Sequence, residues 1–381
     1  MNITRRHITT TMAAAIAVAS ALSLSACGTD ESAATMYVVT TATANEPAPA
    51  GTAAFGDYLH DAVQTGEGTL QILVPRNGTV IAQGNVTDVV VMRGSDPEED
   101  PNEIDKGLKP IVAGIDKQLT SVASNAQTLD LLAGLNDAAH RSERSTIVAV
   151  SSGLQTEGLA DFRGLGWDFD NTTVISSLAD KGFLPDLSGK RVRFVGLGQV
   201  SGEQQPLPEP MRRKVIAFWT DLCKAAHATT CESVPEKAAP RPSASTRRAE
   251  TVRVPAFELP TLTASTTQLA VDSSALFAPD SAQLLPGVTD TMAQLAGQLN
   301  RTGVPVTITG HTWKFGPADG ARELSKERAQ AVADALTSGG LNPNRIADVR
   351  GVGYDELITP PGAGPDQTAA ANRVVVIGLQ R

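Results

Sequence analysis

The sequence predicts two folds in series: an open, mostly parallel α/β sheet with helices on both faces, then a smaller α+β domain. Short continuous apolar runs at residues 70–74, 146–150 and 192–196 carry the first expectation, since strands buried on both faces read that way. Between these runs lie stretches with apolar residues at helical spacing, and strand–helix alternation builds a parallel sheet covered on both sides. The second domain shows as a strand at 306–311, an amphipathic helix around 324–332, a glycine turn at 351–353 and a β-branched strand from 374.

Taken in order, residues 1–26 read as a secretory signal. Arg5 and Arg6 make a basic start, and the apolar run at 12–24 is shorter than the roughly 20 residues a membrane-crossing helix needs. The segment Leu24-Ser25-Ala26-Cys27-Gly28 resembles a bacterial lipobox, which makes Cys27 the lipidated first residue of the mature chain. Such an anchor is the membrane attachment expected here, to the cell membrane or an outer one. Residues 27–65, rich in Ala, Thr, Gly and Pro, are expected to be a lipid-proximal tether.

The α/β domain is expected over residues 66–232. A helical stretch runs from 102 to 140, with Ile104, Leu108, Ile111, Ile115 and Leu119 on one face. Helices follow at 174–181 and 211–226, the second burying Val215, Phe218, Trp219 and Leu222. Cys223 and Cys231 are close in sequence on an exported chain, so a disulfide is the simplest assignment. Residues 233–258, dominated by Pro, Ala, Ser, Lys and Arg, are expected to link to a second domain at 259–381.

A net charge of −9 without a basic stripe argues against a nucleic-acid partner. Five scattered histidines give no Ser/His/Asp or Cys/His constellation, so no enzyme activity and no cofactor are expected. The alternating strands of a membrane barrel are absent, which excludes a porin. The acidic run at 96–100 reads as a solvated loop.

The C-terminal segments Val306-Thr307-Ile308-Thr309-Gly310-His311-Thr312-Trp313, Leu324-Ser325-Lys326-Glu327-Arg328, Gly351-Val352-Gly353-Tyr354-Asp355 and Asn372-Arg373-Val374 resemble, in order and spacing, the OmpA-like domain. That resemblance implies an envelope protein gripping the stem peptide of peptidoglycan, with an aspartate after the Gly-x-Thr turn taking an ammonium and a helix arginine taking a carboxylate. A zwitterionic end needs one anion and one bidentate cation, rigidly placed. The arginine position is Arg328, four residues from both Leu324 and Val332 and therefore on the inward stripe. The aspartate position is Trp313, and an asparagine position is Ala321. Trp313 either stacks on the ligand or caps a pocket that no longer binds, and Asp319 is the carboxylate expected to replace the lost one. Thr312 fits the turn; Arg373 either joins the site or braces the sheet.

Segments 73–79, 126–132 and 147–153 resemble a von Willebrand factor A-like domain. Pro75 in the first segment, and Ser151 or Ser152 in the third, stand where that family carries metal-site aspartates. The resemblance therefore implies a silent metal site, because a divalent cation of this kind wants carboxylates. The resulting expectation is a non-enzymatic envelope lipoprotein that contacts peptidoglycan, with an unidentified protein partner for its α/β domain. The alternative is a scaffold or sensor whose OmpA-like domain has turned to protein contacts.

Overall fold

A computed structural model describes residues 35–50, 52–66, 68–235, 241–314 and 317–380. The expected signal and Cys27 lie outside the described residues. The first domain is built on a six-stranded sheet of β1 (Thr35–Thr40), β2 (Thr69–Arg76), β3 (Thr79–Asp88), β6 (Ser145–Val150), β7 (Lys190–Val195) and β8 (Thr230–Val234). Between β3 and β6 lies a two-stranded ribbon of β4 (Met92–Arg93) and β5 (Asp96–Pro97). The order β3-β2-β1-β6-β7-β8 is parallel throughout except for β3, an antiparallel edge.

Helices α1 (Gly56–Thr65) and α2 (Pro101–Thr120) cover one face, where Phe55, Tyr58, Ile104, Leu108 and Ile115 meet Met36, Val38 and Ile72. Helices α3 (Leu131–Arg141), α4 (Phe162–Leu165), α5 (Asn171–Asp180) and α6 (Glu209–Ala225) serve the other, burying Leu135, Phe162, Val174, Phe218 and Trp219. The expected single stretch from 102 to 140 is thus two helices. The second has its own start signal, since the Asp130 side chain accepts from the Ala133 amide. The acidic run has a structural role: Glu98 accepts from the Glu99 and Asp100 amides, and Asp100 caps α2.

Three expectations change. The described part of the supposed tether is folded: β1 lies between β2 and β6, and its Met36, Val38 and Val39 are fully buried. Threonine and alanine disguised a buried strand as a linker. The loop expected to sit where a metal would bind, residues 75–79, is a hairpin turn between β2 and β3. Asn77 and Gly78 turn there at φ of 49° and 77°, the left-handed pair such a tight turn requires. Residues 241–253 of the supposed linker form a strap on the first domain. The Arg241 carbonyl accepts from the Ala48 amide and the Glu46 carbonyl from the Ser243 amide, and Val252 is clasped by Gln204 and buried in the core.

Cys223 and Cys231 form the expected disulfide, with Cα atoms 6.0 Å apart, tying the end of α6 to β8.

The second domain pairs β9 (Gln268–Asp272), β10 (Val306–His311), β11 (Ile346–Gly353) and β12 (Val374–Leu379) in the order β11-β10-β12-β9. Between β9 and β10 come the short α7 (Ser273–Leu276) and α8 (Val288–Thr302). Helix α9 (Ala318–Ser338) packs on β10 and β11, and α10 (Pro365–Ala371) precedes β12. Leu295, Leu299, Ile308, Val332, Leu336 and Val375 make its separate core. Glycine sets the α9 approach: a Cβ on Gly310 would lie 1.9 Å from the Ser325 carbonyl oxygen.

Candidate functional site

Two polar centres stand out, each closed by one of the chain's own carboxylates. At the carboxy ends of β1 and β6, Glu46 is buried and accepts five hydrogen bonds. They come from Thr41 Oγ1 (2.7 Å), the Thr43 amide (2.8 Å) and Oγ1 (2.9 Å), Ser151 Oγ (3.1 Å) and the Ser152 amide (2.7 Å). Strand ends of a parallel sheet are the usual place for a ligand; here the acceptor set of one carboxylate saturates the hydroxyls. Among the described residues no three His, Cys, Asp or Glu side chains gather as metal ligands.

The second centre surrounds Arg328, which projects inward from α9 and is 1% exposed. Its Nη1 and Nη2 both donate to the carboxylate of Asp168, Nη2 at 2.7 Å to Oδ1, while Nε donates to the Ser281 carbonyl at 2.9 Å. The guanidinium also lies 5.3 Å from the centre of the Phe277 ring. Asp168 belongs to the first domain, 160 residues upstream. Burial alone would push its carboxyl up, but the charge and hydrogen bonds of Arg328 outweigh this and hold it below the usual carboxylate range.

Beside this pair is a cavity of about 200 Å³ lined by Asp168, Asp170, Thr312, Trp313, Ala321 and Arg373 among others. Thr312 is buried, and its Oγ1 has no hydrogen-bond partner among the described residues. Arg373 donates Nη2 to the Gly164 carbonyl at 3.2 Å and lies against Gly166, where a side chain would collide with the guanidinium. Asn372 is structural: its side chain exchanges hydrogen bonds with the Ile358 backbone and donates to the Thr368 carbonyl. Asp319, expected to replace the lost carboxylate, does not line the cavity. Its side chain is 99% exposed and contacts Arg322. Helix phase explains this, since Pro317, Gly320, Ala321 and Leu324 face the cavity while Asp319 leaves the other side of the same turn. Carboxylates do line the cavity, but they are Asp168 and Asp170 of the other domain.

Residues 276–372 match the OmpA family. The C-terminal domain is OmpA-like. The chain is also similar to solved structures, each spanning 30% of it. The periplasmic domain of Helicobacter pylori MotB is 21% identical over 74% of its length, with a TM-score of 0.26. The peptidoglycan-associated lipoprotein of Burkholderia pseudomallei is 20% identical over 92%, at 0.24. The OmpA-like domain of FopA1 from Francisella tularensis is 24% identical over 73%, at 0.24. No curated protein matches.

Within the OmpA-like domain the structure brings Thr312, Trp313 and Arg373 to one cavity, with Arg328 reaching it through Asp168. Asp168 is the residue sequence reading missed. Its local signal is the alternation Trp167-Asp168-Phe169, with both aromatics buried in the first domain and the acid turned the other way.

Proposed function

We propose that this protein is an exported, non-enzymatic envelope lipoprotein, anchored through Cys27, that contacts the stem peptide of peptidoglycan through its OmpA-like domain. The observation that carries the reading is Arg328. A buried guanidinium that takes a carboxylate in bidentate fashion stands at the helix position where the family's ligand arginine is expected. Thr312, Trp313 and Arg373 would complete the contact around the adjoining cavity. The first domain is proposed to be von Willebrand factor A-like without a metal, presenting its surface to a protein partner. Its single antiparallel edge and the hydroxyls of Thr41, Thr43 and Ser151 at the strand ends support that assignment.

A second reading also has an observation behind it. Because Asp168 already fills the Arg328 fork, the OmpA-like domain could serve only as a scaffold joined to its neighbour. Co-sedimentation of the lipid-free mature chain with increasing amounts of purified sacculi separates the two. Saturable binding that Arg328→Ala weakens roughly ten- to a hundredfold is expected, since hydrogen bonds to charged groups contribute about 1.5–3 kcal/mol. No binding at any amount of sacculi, by the wild type or by an Asp168→Ala chain, would leave the scaffold. The anchor is tested separately: a Cys27→Ala precursor should leave the detergent phase, and its retention on salt-washed membranes would refute lipidation.

A further inference from the structure

The Arg328 fork can hold one carboxylate at a time, and the one it holds belongs to the same chain. Asp168 is presented rigidly. Trp167 on one side donates its indole N–H to the Arg253 carbonyl at 2.8 Å, and Phe169 on the other is fully buried. Both rings pack edge-on against Phe162, with centroids 5.8 Å and 5.3 Å away. The acid therefore stands on a fixed segment aimed at the other domain. Further links cross the same boundary, beginning with the ion pair of Arg253 and Asp272 at 3.5 Å. The Asp280 amide donates to Asp168 Oδ1 at 3.1 Å, Lys214 Nζ donates to Asp280 Oδ2 at 2.6 Å, and Arg373 donates to the Gly164 carbonyl. Every one of them involves a charged side chain, and polar links of this kind fix geometry while remaining open to exchange.

We infer that the Trp167-Asp168-Phe169 segment is an intramolecular ligand of the Arg328 site, and that the α/β domain thereby gates the OmpA-like domain's grip on an external carboxylate. The inference rests on the proposed peptidoglycan contact and adds its regulation. A carboxylate from a stem peptide and Asp168 would make the same two hydrogen bonds to the same two nitrogens, so binding of one requires departure of the other. A tethered competitor acts at an effective concentration in the millimolar range. It therefore lowers apparent affinity by the fraction of time the fork is closed. A partner that draws the α/β domain away would open the site, giving the first domain a role in the second domain's binding.

The test compares mature wild-type chain with Asp168→Ala, using sacculi for co-sedimentation and a soluble tripeptide ending in meso-diaminopimelate for titration. Asp168→Ala should bind at least about tenfold tighter, as removal of a cis competitor demands. Asp137→Ala, which removes a half-buried carboxylate paired with Arg141 on α3, away from the domain boundary, serves as the control for charge. A second measurement needs no variant: tripeptide added to wild type should raise amide hydrogen exchange across residues 162–170. Equal affinity of both chains together with unchanged exchange would overturn the gate and leave the peptidoglycan contact standing. Weaker binding by Asp168→Ala would also overturn it, making Asp168 part of the grip. Failure of both chains to bind sacculi or tripeptide would remove the peptidoglycan contact itself, and the gate with it.

Discussion

Truncating Arg328 should be among the most damaging single changes in this protein, and its cost should depend on Asp168. The Arg328 side chain is 1% exposed and Asp168 10% exposed, so the pair is screened little by water. Arg328→Met leaves a buried carboxylate facing a thioether, and removing one partner of a buried pair costs about 3–5 kcal/mol. The variant also loses the bond to Ser281 and the contact with Phe277. Replacing both partners, as Arg328→Met with Asp168→Leu, removes the stranded charge and should recover most of that cost. Urea unfolding of the mature chain, followed by far-ultraviolet circular dichroism, measures this. At a slope of about 2 kcal/mol per M, the single change should lower the midpoint by roughly 1.5–2.5 M. If the two single changes add to the double within about 0.5 kcal/mol, the pair is uncoupled and the reasoning fails.

Other outcomes follow from the same contacts. The domain contact should survive mild acid. A carboxyl held below its ordinary value contributes stability above about pH 3.9, lost as pH falls through the lower folded value. Asp280, which burial pushes up, works in the opposite sense, its contribution fading as pH rises through its raised value. Exchange at residues 162–170 should therefore stay low down to about pH 4, and loosening between pH 7 and 5 would contradict the assignment to Asp168. Cys231→Ala should cost about 2–3 kcal/mol for the short loop it opens, and unreduced peptide mass spectra showing both thiols free would refute the bond. Gly310→Ala should destabilise the OmpA-like domain by about 3 kcal/mol or more, because the new methyl would overlap the Ser325 carbonyl. A melting temperature unchanged by that substitution would mean α9 can move away from β10 at little cost.

Much of the second domain is legible because its signals are local. Periodicity places α9, the Leu324–Arg328–Val332 spacing turns the arginine inward, and glycines mark where helix and sheet touch. What Arg328 meets is not legible, because its partner is far upstream and an acid between two aromatics carries no address. In the first domain β1 escaped notice since its neighbours in sequence are Thr, Ala and Pro, the residues of a tether. The Asn77-Gly78 pair was the sign that residues 73–79 make a hairpin rather than a strand-end loop. Glu46 offered no sign at all, because only the pairing of β1 with β6 brings Thr41 and Ser151 together.

The position of β1 has a mechanical consequence. If the chain is anchored and grips the wall as proposed, tension from its amino-terminal side would load β1 from Thr35 onward, a strand flanked by parallel neighbours on both sides. A pull along that axis loads both ladders in shear, so their hydrogen bonds must yield together rather than peel one after another. The strap at 241–253, hydrogen-bonded to the same domain, would pass the load onward along its length. Under such a pull the contact between Arg328 and Asp168, a few charged hydrogen bonds at a domain boundary, would part well before either sheet.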